Sequence, residues 1–418
     1  MKIFRQLFII IFFSLILILT TLSIARDYYL GGSILKGKET LFIFLSEILP
    51  NTNYFIQNKG IVVEGLLTER KQDLHPEKFN VPGLYPYFTE NGWVILDQTK
   101  HSSIKIPIEW AKFRETFTKF NQAKEYINTK YAAAPWNPIK VNQNIYFFLG
   151  SVLFKYNIPT KTQQAYKGNY HHSLELYQDS LIYTCIMGKD TFPHFNDAIL
   201  LLNLKTGKPV FEKSITEILI ENNYEGLLYG AALITQDKII QNNTNTKDII
   251  HLNDVQPIRK GTNFAKEGDL LISMRHLSTV MLYRPSINKI LWLSQGPWLN
   301  QHDADVLNED EIGVYNNNYI RNTGFYKNES SHVVRYNFKT KKYGTLHKQA
   351  FEKYQIKSDV SSRFEILDNG NMFVEDSPSG AYYLLSPKGI LIARKSFNFK
   401  DNLASLGVWA RPYTSKPY

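Results

Sequence analysis

From Gly83 to the C-terminus, short apolar runs alternate with polar turn residues. GLYPYF, NGWVILDQ, NIYFFLG, SVLFKYNI, SLELYQ, SLIYTCIM, DAILLLNL, KPVFEKSI and GLLYGAALI come first. GDLLISMRH, STVMLYRP, KILWLSQG, ADVLNEDEIGVYNN, HVVRYNFKT, RFEILDNGNMFVED, GAYYLLSPKG and ILIARKSF follow. Runs this short, rich in β-branched and aromatic residues and bounded by Gly, Asn, Asp and Pro, predict strands. A weak repeat runs through them: DAILLLNLKTGKPVFEKS, STVMLYRPSINKILWLSQ, HVVRYNFKTKKYGTLHK and AYYLLSPKGILIARKS each read as strand, tight turn, strand. Four-stranded units recurring every roughly 40 to 55 residues predict a β-propeller, and residues 81–418 hold about six of them. The competing architecture is a β-sandwich with long loops. The expected fold is therefore all-β, a six-bladed β-propeller.

Two stretches break the pattern. Residues 109–134, EWAKFRETFTKFNQAKEYINTKYAAA, place Phe113, Phe117, Phe120 and Tyr126 near one helical face, and Pro135 closes the run. This predicts a helical insertion. At the N-terminus Lys2 and Arg5 precede the uncharged residues 7–25. A run of about 20 apolar residues is long enough to span a bilayer, and the basic flank leaves the remainder outside. Residues 1–26 are thus expected to form a transmembrane anchor, or a signal sequence cleaved after Ser23-Ile24-Ala25. Residues 27–80 would be a juxtamembrane segment. The expected location is the periplasmic face of a bacterial inner membrane, or the periplasm if the segment is cleaved.

Composition changes this little. The 418 residues are 44% hydrophobic, enough for a large core. The net charge of +10 suits anionic substrates or an anionic membrane, but the basic residues are scattered, which argues against a nucleic-acid partner. The single Cys185 excludes an internal disulfide and reads as a buried strand residue.

The candidate chemistry lies in the histidines. His75, His101, His332 and His347 sit in polar loops or hairpins and read as surface; His194 is ambiguous. His171-His172, His251 and His302 each precede a strand that runs into a polar turn. In a propeller such positions surround one end of the central channel. Arg275 falls between two of them, with Asn253 close by. His276, next to Arg275, is expected on the opposite face of its strand. Arginine offers a planar fork of donors to a sulfate or phosphate group, and neutral histidine can attack or carry protons. A rival enzyme reading makes His172, His251 and His302 metal ligands, although the fixed charge of Arg275 opposes it. A third is a non-catalytic binding propeller.

These motifs resemble the bacterial arylsulfate sulfotransferases, six-bladed propellers of the periplasm. HHSLELYQDSLIY is similar to that family's His-bearing strand, DIIHLNDVQPI to its His-x-Asn motif, and GDLLISMRHLSTVMLY with KILWLSQG to its Arg- and Trp-bearing strands. NQHDADVLNEDEIGVYNN is similar to its Gln-His motif and Asn-rich strand end, and GLYPYFTENGWVILDQ to its first-blade opening. The likeness covers roughly residues 80–418 and is most specific over 248–318. It implies His302 as the nucleophile that accepts a sulfuryl group. Arg275, His251 and Asn253 would bind the sulfuryl oxygens. His172 would be the other histidine of the site, with His171 its substitute. The implied partners are an aryl sulfate donor and a phenolic acceptor. No Gly-rich phosphate loop is present, so neither a nucleotide nor another cofactor is expected. The segment ahead of the first blade is short for the family's N-terminal β-domain, and the lone cysteine departs from relatives that carry a disulfide.

Overall fold

The computed structural model describes residues 67–69, 71–89, 92–108, 134–187, 197–229, 249–319, 329–400 and 403–415. Six antiparallel four-stranded sheets form the blades of a propeller. Blade 2 holds Trp136–Val141, Asn144–Leu149, Val152–Asn157 and Gln163–Tyr166, and blade 3 holds Tyr170–Gln178, Leu181–Met187, Asp197–Asn203 and Lys208–Ser214. Blade 4 holds Leu252–Pro257, Leu270–Met274, Thr279–Arg284 and Lys289–Gln295. Blade 5 holds His302–Asn308, Glu311–Asn316, His332–Asn337 and Lys342–Leu346; blade 6 holds Arg363–Ile366, Met372–Asp376, Ala381–Leu385 and Leu391–Ser396. In each the first strand is innermost and the last is outermost and most exposed, as at Lys208–Ser214, where no residue is fully buried.

Blade 1 closes the ring from both ends of the chain. Gly83–Thr89, Gly92–Gln98 and Ser103–Pro107 are completed by Arg411–Pro412, which pairs with Gly83 and Leu84. A side chain at Gly83 would meet the Arg411 carbonyl at 2.6 Å, so this closure requires glycine. Lys140 and Tyr413 both reach the buried Asp97, at 2.6 and 2.7 Å, joining blade 2 and the C-terminus to blade 1.

Apolar side chains of neighbouring blades interdigitate. Cys185, Ile199, Leu252, Val255, Ile272 and Met281 fill the space between blades 3 and 4. Tyr85, Phe373 and Tyr382 join blades 1 and 6, with Tyr85 edge-on to Tyr382 at 5.6 Å. Closing the sheets into a ring leaves only short outer edges.

The helical insertion falls almost wholly on residues 109–133, outside the described residues. Residues 67–69, read as juxtamembrane, pair with Leu403–Ser405, and Lys71 bonds Asp376 of blade 6 at 2.8 Å. The expected N-terminal transmembrane or signal helix is corrected: among the described residues no helix is long and apolar enough to cross a membrane. The longest of them, Ile215–Glu221, has seven residues. That is roughly 10 Å of helix against a hydrocarbon core of about 30 Å. Residues 7–25 lie outside the described residues, so neither membrane attachment nor an inner-membrane location enters the functional reading.

Candidate active site

Each inner strand enters the channel through a residue with left-handed backbone. These are Asn137, His172, His251, Asp303, Ser362 and Trp409, with φ of 51, 50, 54, 46, 75 and 71°. Left-handed backbone is uncommon outside glycine and survives only where neighbours hold it. In blades 2 to 5 the pairing register also slips at this point, between Trp136 and Ile139, Thr184 and Cys185, Leu252 and Asp254, and His302 and Ala304. Such bulges re-aim side chains that strict alternation would send elsewhere.

The surroundings that hold them are polar bonds from blade to blade. Asn137 Nδ2 donates to the His172 carbonyl. Ser173 Oγ donates to Asp254 Oδ1 at 2.9 Å, and Asp254 Oδ2 accepts from Ala304 N–H at 2.8 Å. Asp303 Oδ2 accepts from Phe364 N–H at 2.8 Å, and Glu375 Oε1 from Trp409 N–H at 2.8 Å. The entrances are thereby fixed relative to one another, and with them the histidines.

His302 opens the inner strand of blade 5 and is 2% exposed. Its Nδ1 lies 2.7 Å from Asn317 Oδ1. The Asn317 amide group cannot turn round, because its Nδ2 donates to the carbonyls of Ser358 and Ser361 at 3.1 and 3.0 Å. Its oxygen therefore faces His302, and His302 Nδ1 must carry the proton. Nε2 is left with its lone pair, which accepts from Ser361 N–H at 3.2 Å. Burial and the nearby Arg275 charge push the His302 pKa down to about 3, so the imidazole is neutral. The preceding Gln301 binds the blade 4 hairpin through Nε2, reaching Ser273 Oγ and the carbonyls of Met274 and Thr279 at 3.0 to 3.1 Å. That hairpin carries Arg275.

Arg275 donates from Nη1 to His276 Nε2 at 2.7 Å and from Nη2 to the Asp359 carbonyl at 3.4 Å. His276 lies tilted against His251 at 4.4 Å between ring centroids, and His251 meets His172 edge-on at 4.7 Å. His171 and His172 share a hydrogen bond, Nδ1 to Nδ1, at 2.9 Å. Burial, then His276 and Arg275, holds the His251 pKa well below the usual histidine value. The structure thus links His171, His172, His251 and Arg275 in one chain of contacts, and ties the Arg275 hairpin to His302 through Gln301.

Three residues stand differently from expectation. His276 joins the cluster instead of facing away, because the strand ends at Met274 and Arg275–Ser278 form a turn, where strand alternation no longer applies. Asn253 is fully buried and spends an amide N–H on the Gln301 carbonyl at 2.7 Å, while its Oδ1 has no partner. It braces the residue before His302. His332, expected at the surface, is 7% exposed and lies against Asn316. Asn317, Ser361 and Trp409 escaped the sequence reading as individual residues. Trp409 sits 5.9 Å from the His302 ring across the channel. The only prior signal was the run of three asparagines after Tyr315.

Farther down the channel a cavity of about 190 Å³ is lined by Lys140, Glu175, Asp305, Arg363, Glu365 and Arg411 among others, and by none of the candidate residues. Among the described residues no group of three or more His, Cys, Asp or Glu side chains is arranged to hold a metal ion.

Comparison with known proteins adds a family. The model of the family described as arylsulfotransferase (ASST) matches residues 142–397, more than half of the chain. No curated protein matches. Solved structures that resemble this one include virginiamycin B lyase from Staphylococcus aureus, with 8% identity over 80% of this chain and 90% of that one, at a TM-score of 0.41. The WD40 domain of Neurospora crassa Pan2 has 8% identity over 80% of this chain and 96% of that one, at 0.35. At such scores these likenesses carry no argument about chemistry.

Proposed function

The chain belongs to the arylsulfotransferase family, and from that premise we propose that it moves a sulfuryl group from an aryl sulfate to a phenolic acceptor through a covalent sulfohistidine at His302. The observation that carries this reading is the state of His302: buried, neutral, with its proton locked on Nδ1 by Asn317 and its lone pair on Nε2. That is the form of imidazole that attacks.

In the proposed first step Nε2 forms a bond to sulfur as the bond from sulfur to the phenolic oxygen breaks. The leaving oxygen departs as phenolate, or takes the proton that the histidine cluster has kept from the preceding acceptor step. The Ser361 N–H must first give up Nε2, and it then faces the sulfuryl group, where it can donate to an oxygen. Arg275 and the neighbouring His251 stabilise the other oxygens; donors placed before the reaction need no reorganisation during it. Asn253 acts by holding Gln301, and His172 with His171 supplies and removes protons. In the second step a phenol oxygen attacks sulfur, the electron pair returns to Nε2, and the phenol proton passes to the cluster.

The direct test is incubation with a chromogenic aryl sulfate, with and without a phenol. Phenol-dependent release of the chromophore supports the reading; no release under either condition contradicts it. Two further outcomes follow from the geometry. Arg275→Lys keeps the charge but cannot bond both His276 and the Asp359 carbonyl as a planar fork does. It is expected to lower kcat/KM at least about tenfold, or about 1.4 kcal/mol, and unchanged kinetics would remove Arg275 from the site. Because His302 titrates near pH 3, donor-only labelling by the sulfate of an acidic phenol should keep its full amplitude from pH 8 down to about pH 5. A loss centred near the usual histidine value would show that the nucleophile is not this buried imidazole.

A further inference from the structure

Asp197 begins the third strand of blade 3 and is 5% exposed. Its Oδ2 accepts from Leu252 N–H at 2.8 Å, which fixes the carboxylate beside the entrance of blade 4. Its Oδ1 lies 3.3 Å from His171 Nε2, close enough for the carboxylate charge to bias that nitrogen though not aligned as a hydrogen bond. On the other side of that ring, His171 Nδ1 meets His172 Nδ1 at 2.9 Å. Two lone pairs cannot face each other at that distance, so one of the two Nδ1 atoms carries a proton. The carboxylate decides which. It favours a proton on His171 Nε2, which makes His171 Nδ1 the acceptor and His172 Nδ1 the donor. His172 Nε2 is then the unprotonated nitrogen, on a ring already set edge-on to His251.

We infer that Asp197 is the positioning residue of a carboxylate–histidine–histidine relay that makes His172 Nε2 the proton acceptor for the attacking phenol. The inference rests on the sulfuryl-transfer reading for its role, though not for its geometry. As the phenol oxygen bonds to sulfur and the sulfur–Nε2 bond of His302 breaks, the phenol proton goes to His172 Nε2. The His172 Nδ1 proton shifts to His171 Nδ1. The added positive charge then sits beside Asp197 and on the side away from Arg275, whose fixed charge would otherwise oppose it. The donor step of the next turnover returns this proton: it leaves His172 Nε2 for the departing phenolate as the His171 Nδ1 proton shifts back to His172. In the first turnover, before the relay is loaded, the leaving group departs as phenolate.

Asp197→Asn is the informative variant. Its amide oxygen can still accept from Leu252 N–H, so the local fold keeps its anchor. That bond turns the new NH₂ group toward His171 Nε2, which must become an acceptor. The relay then reverses, and His172 Nε2 gains the proton. Long-range ¹H–¹⁵N correlation of the histidine rings should show His172 protonated at Nδ1 in the wild type and at Nε2 in Asp197→Asn. Turnover with a phenol acceptor should fall at least about 100-fold, since a carboxylate-to-amide exchange that inverts a catalytic histidine tautomer can cost about 10⁴-fold. KM for the donor should stay within about twofold, and donor-only labelling of His302 by the sulfate of an acidic phenol should persist. A wild-type His172 protonated at Nε2, or the same tautomers in both proteins, would overturn the relay, and the wild-type spectrum decides this even where the variant does not fold. Equal loss of labelling and of transfer would also overturn it. Absence of any transfer by the wild type would instead strike the sulfuryl-transfer reading and leave the spectra to judge the relay.

Discussion

His302→Ala is expected to lower sulfuryl transfer by more than about 10³-fold while leaving the protein folded, though less stable than the wild type because a buried ring bonded at both nitrogens is lost. The expected loss is large because no other described group is prepared in the same way. His302 is held neutral by burial and Arg275, and Asn317, itself fixed by two backbone carbonyls, dictates which nitrogen attacks. His251 is also neutral but packs between two histidine rings. The check is twofold: turnover of a chromogenic aryl sulfate with phenol, and the mass of the His302 peptide after exposure to donor alone. A peptide heavier by one sulfuryl group in the wild type and not in the variant supports the assignment. Near-normal turnover by a folded His302→Ala protein would place the nucleophile elsewhere.

The ring of strands was legible because short runs with turn residues between them have few other uses, and the blade assignment from Trp136 to Ser396 follows those runs except at GLLYGAALI, whose described residues 226–229 are helical and lie between blades 3 and 4 in the chain. The grouping of His172, His251 and Arg275 was legible for the related reason that equivalent blade positions meet at the channel. What was not legible depends on contacts distant in sequence. His276 was assigned by alternation, yet the chain turns at Arg275, and one residue of strand more or less reverses the predicted face. Asn253 was expected as a donor to an oxyanion; that one of its two amide N–H groups is held by a carbonyl 48 positions away has no local signal. Asn317 and Asp197 act through partners in neighbouring strands or blades, and neither has a local pattern that marks it. The bulges that aim His172 and His302 arise from pairing between strands, so they too leave no signature in one strand alone.

Replacing Arg363 with methionine should destabilise the propeller by about 3–5 kcal/mol at pH 8, the usual result of removing one partner from a buried ionic cluster. Arg363 is 2% exposed at the start of the inner strand of blade 6. Its Nη2 lies 3.3 Å from Glu365 Oε2 and 3.7 Å from Asp303 Oδ1. Burial works against its charge, but Asp303, Glu365, Asp305 and Glu175 more than compensate and keep it protonated. Methionine fills a similar space, so the effect isolates the charge and not a cavity. The loss should shrink as the pH falls. Burial, opposed by Arg363, raises the Glu365 carboxyl to about 7, and burial with the Asp303 charge raises Asp254 to about 7. Between about pH 4 and 7 the folded chain therefore holds protons that the unfolded chain has released, and stability from these groups declines as the pH rises through that window. Without Arg363 the neighbouring Glu365 and Asp303 hold their protons to still higher pH, which steepens the decline. Urea unfolding of both proteins at pH 8 and pH 5.5 measures this directly. A smaller difference at the lower pH is expected, since protonated carboxyls no longer need the arginine. An equal difference at both would mean that the channel carboxylates keep their charge down to pH 5.5 and do not titrate in this window.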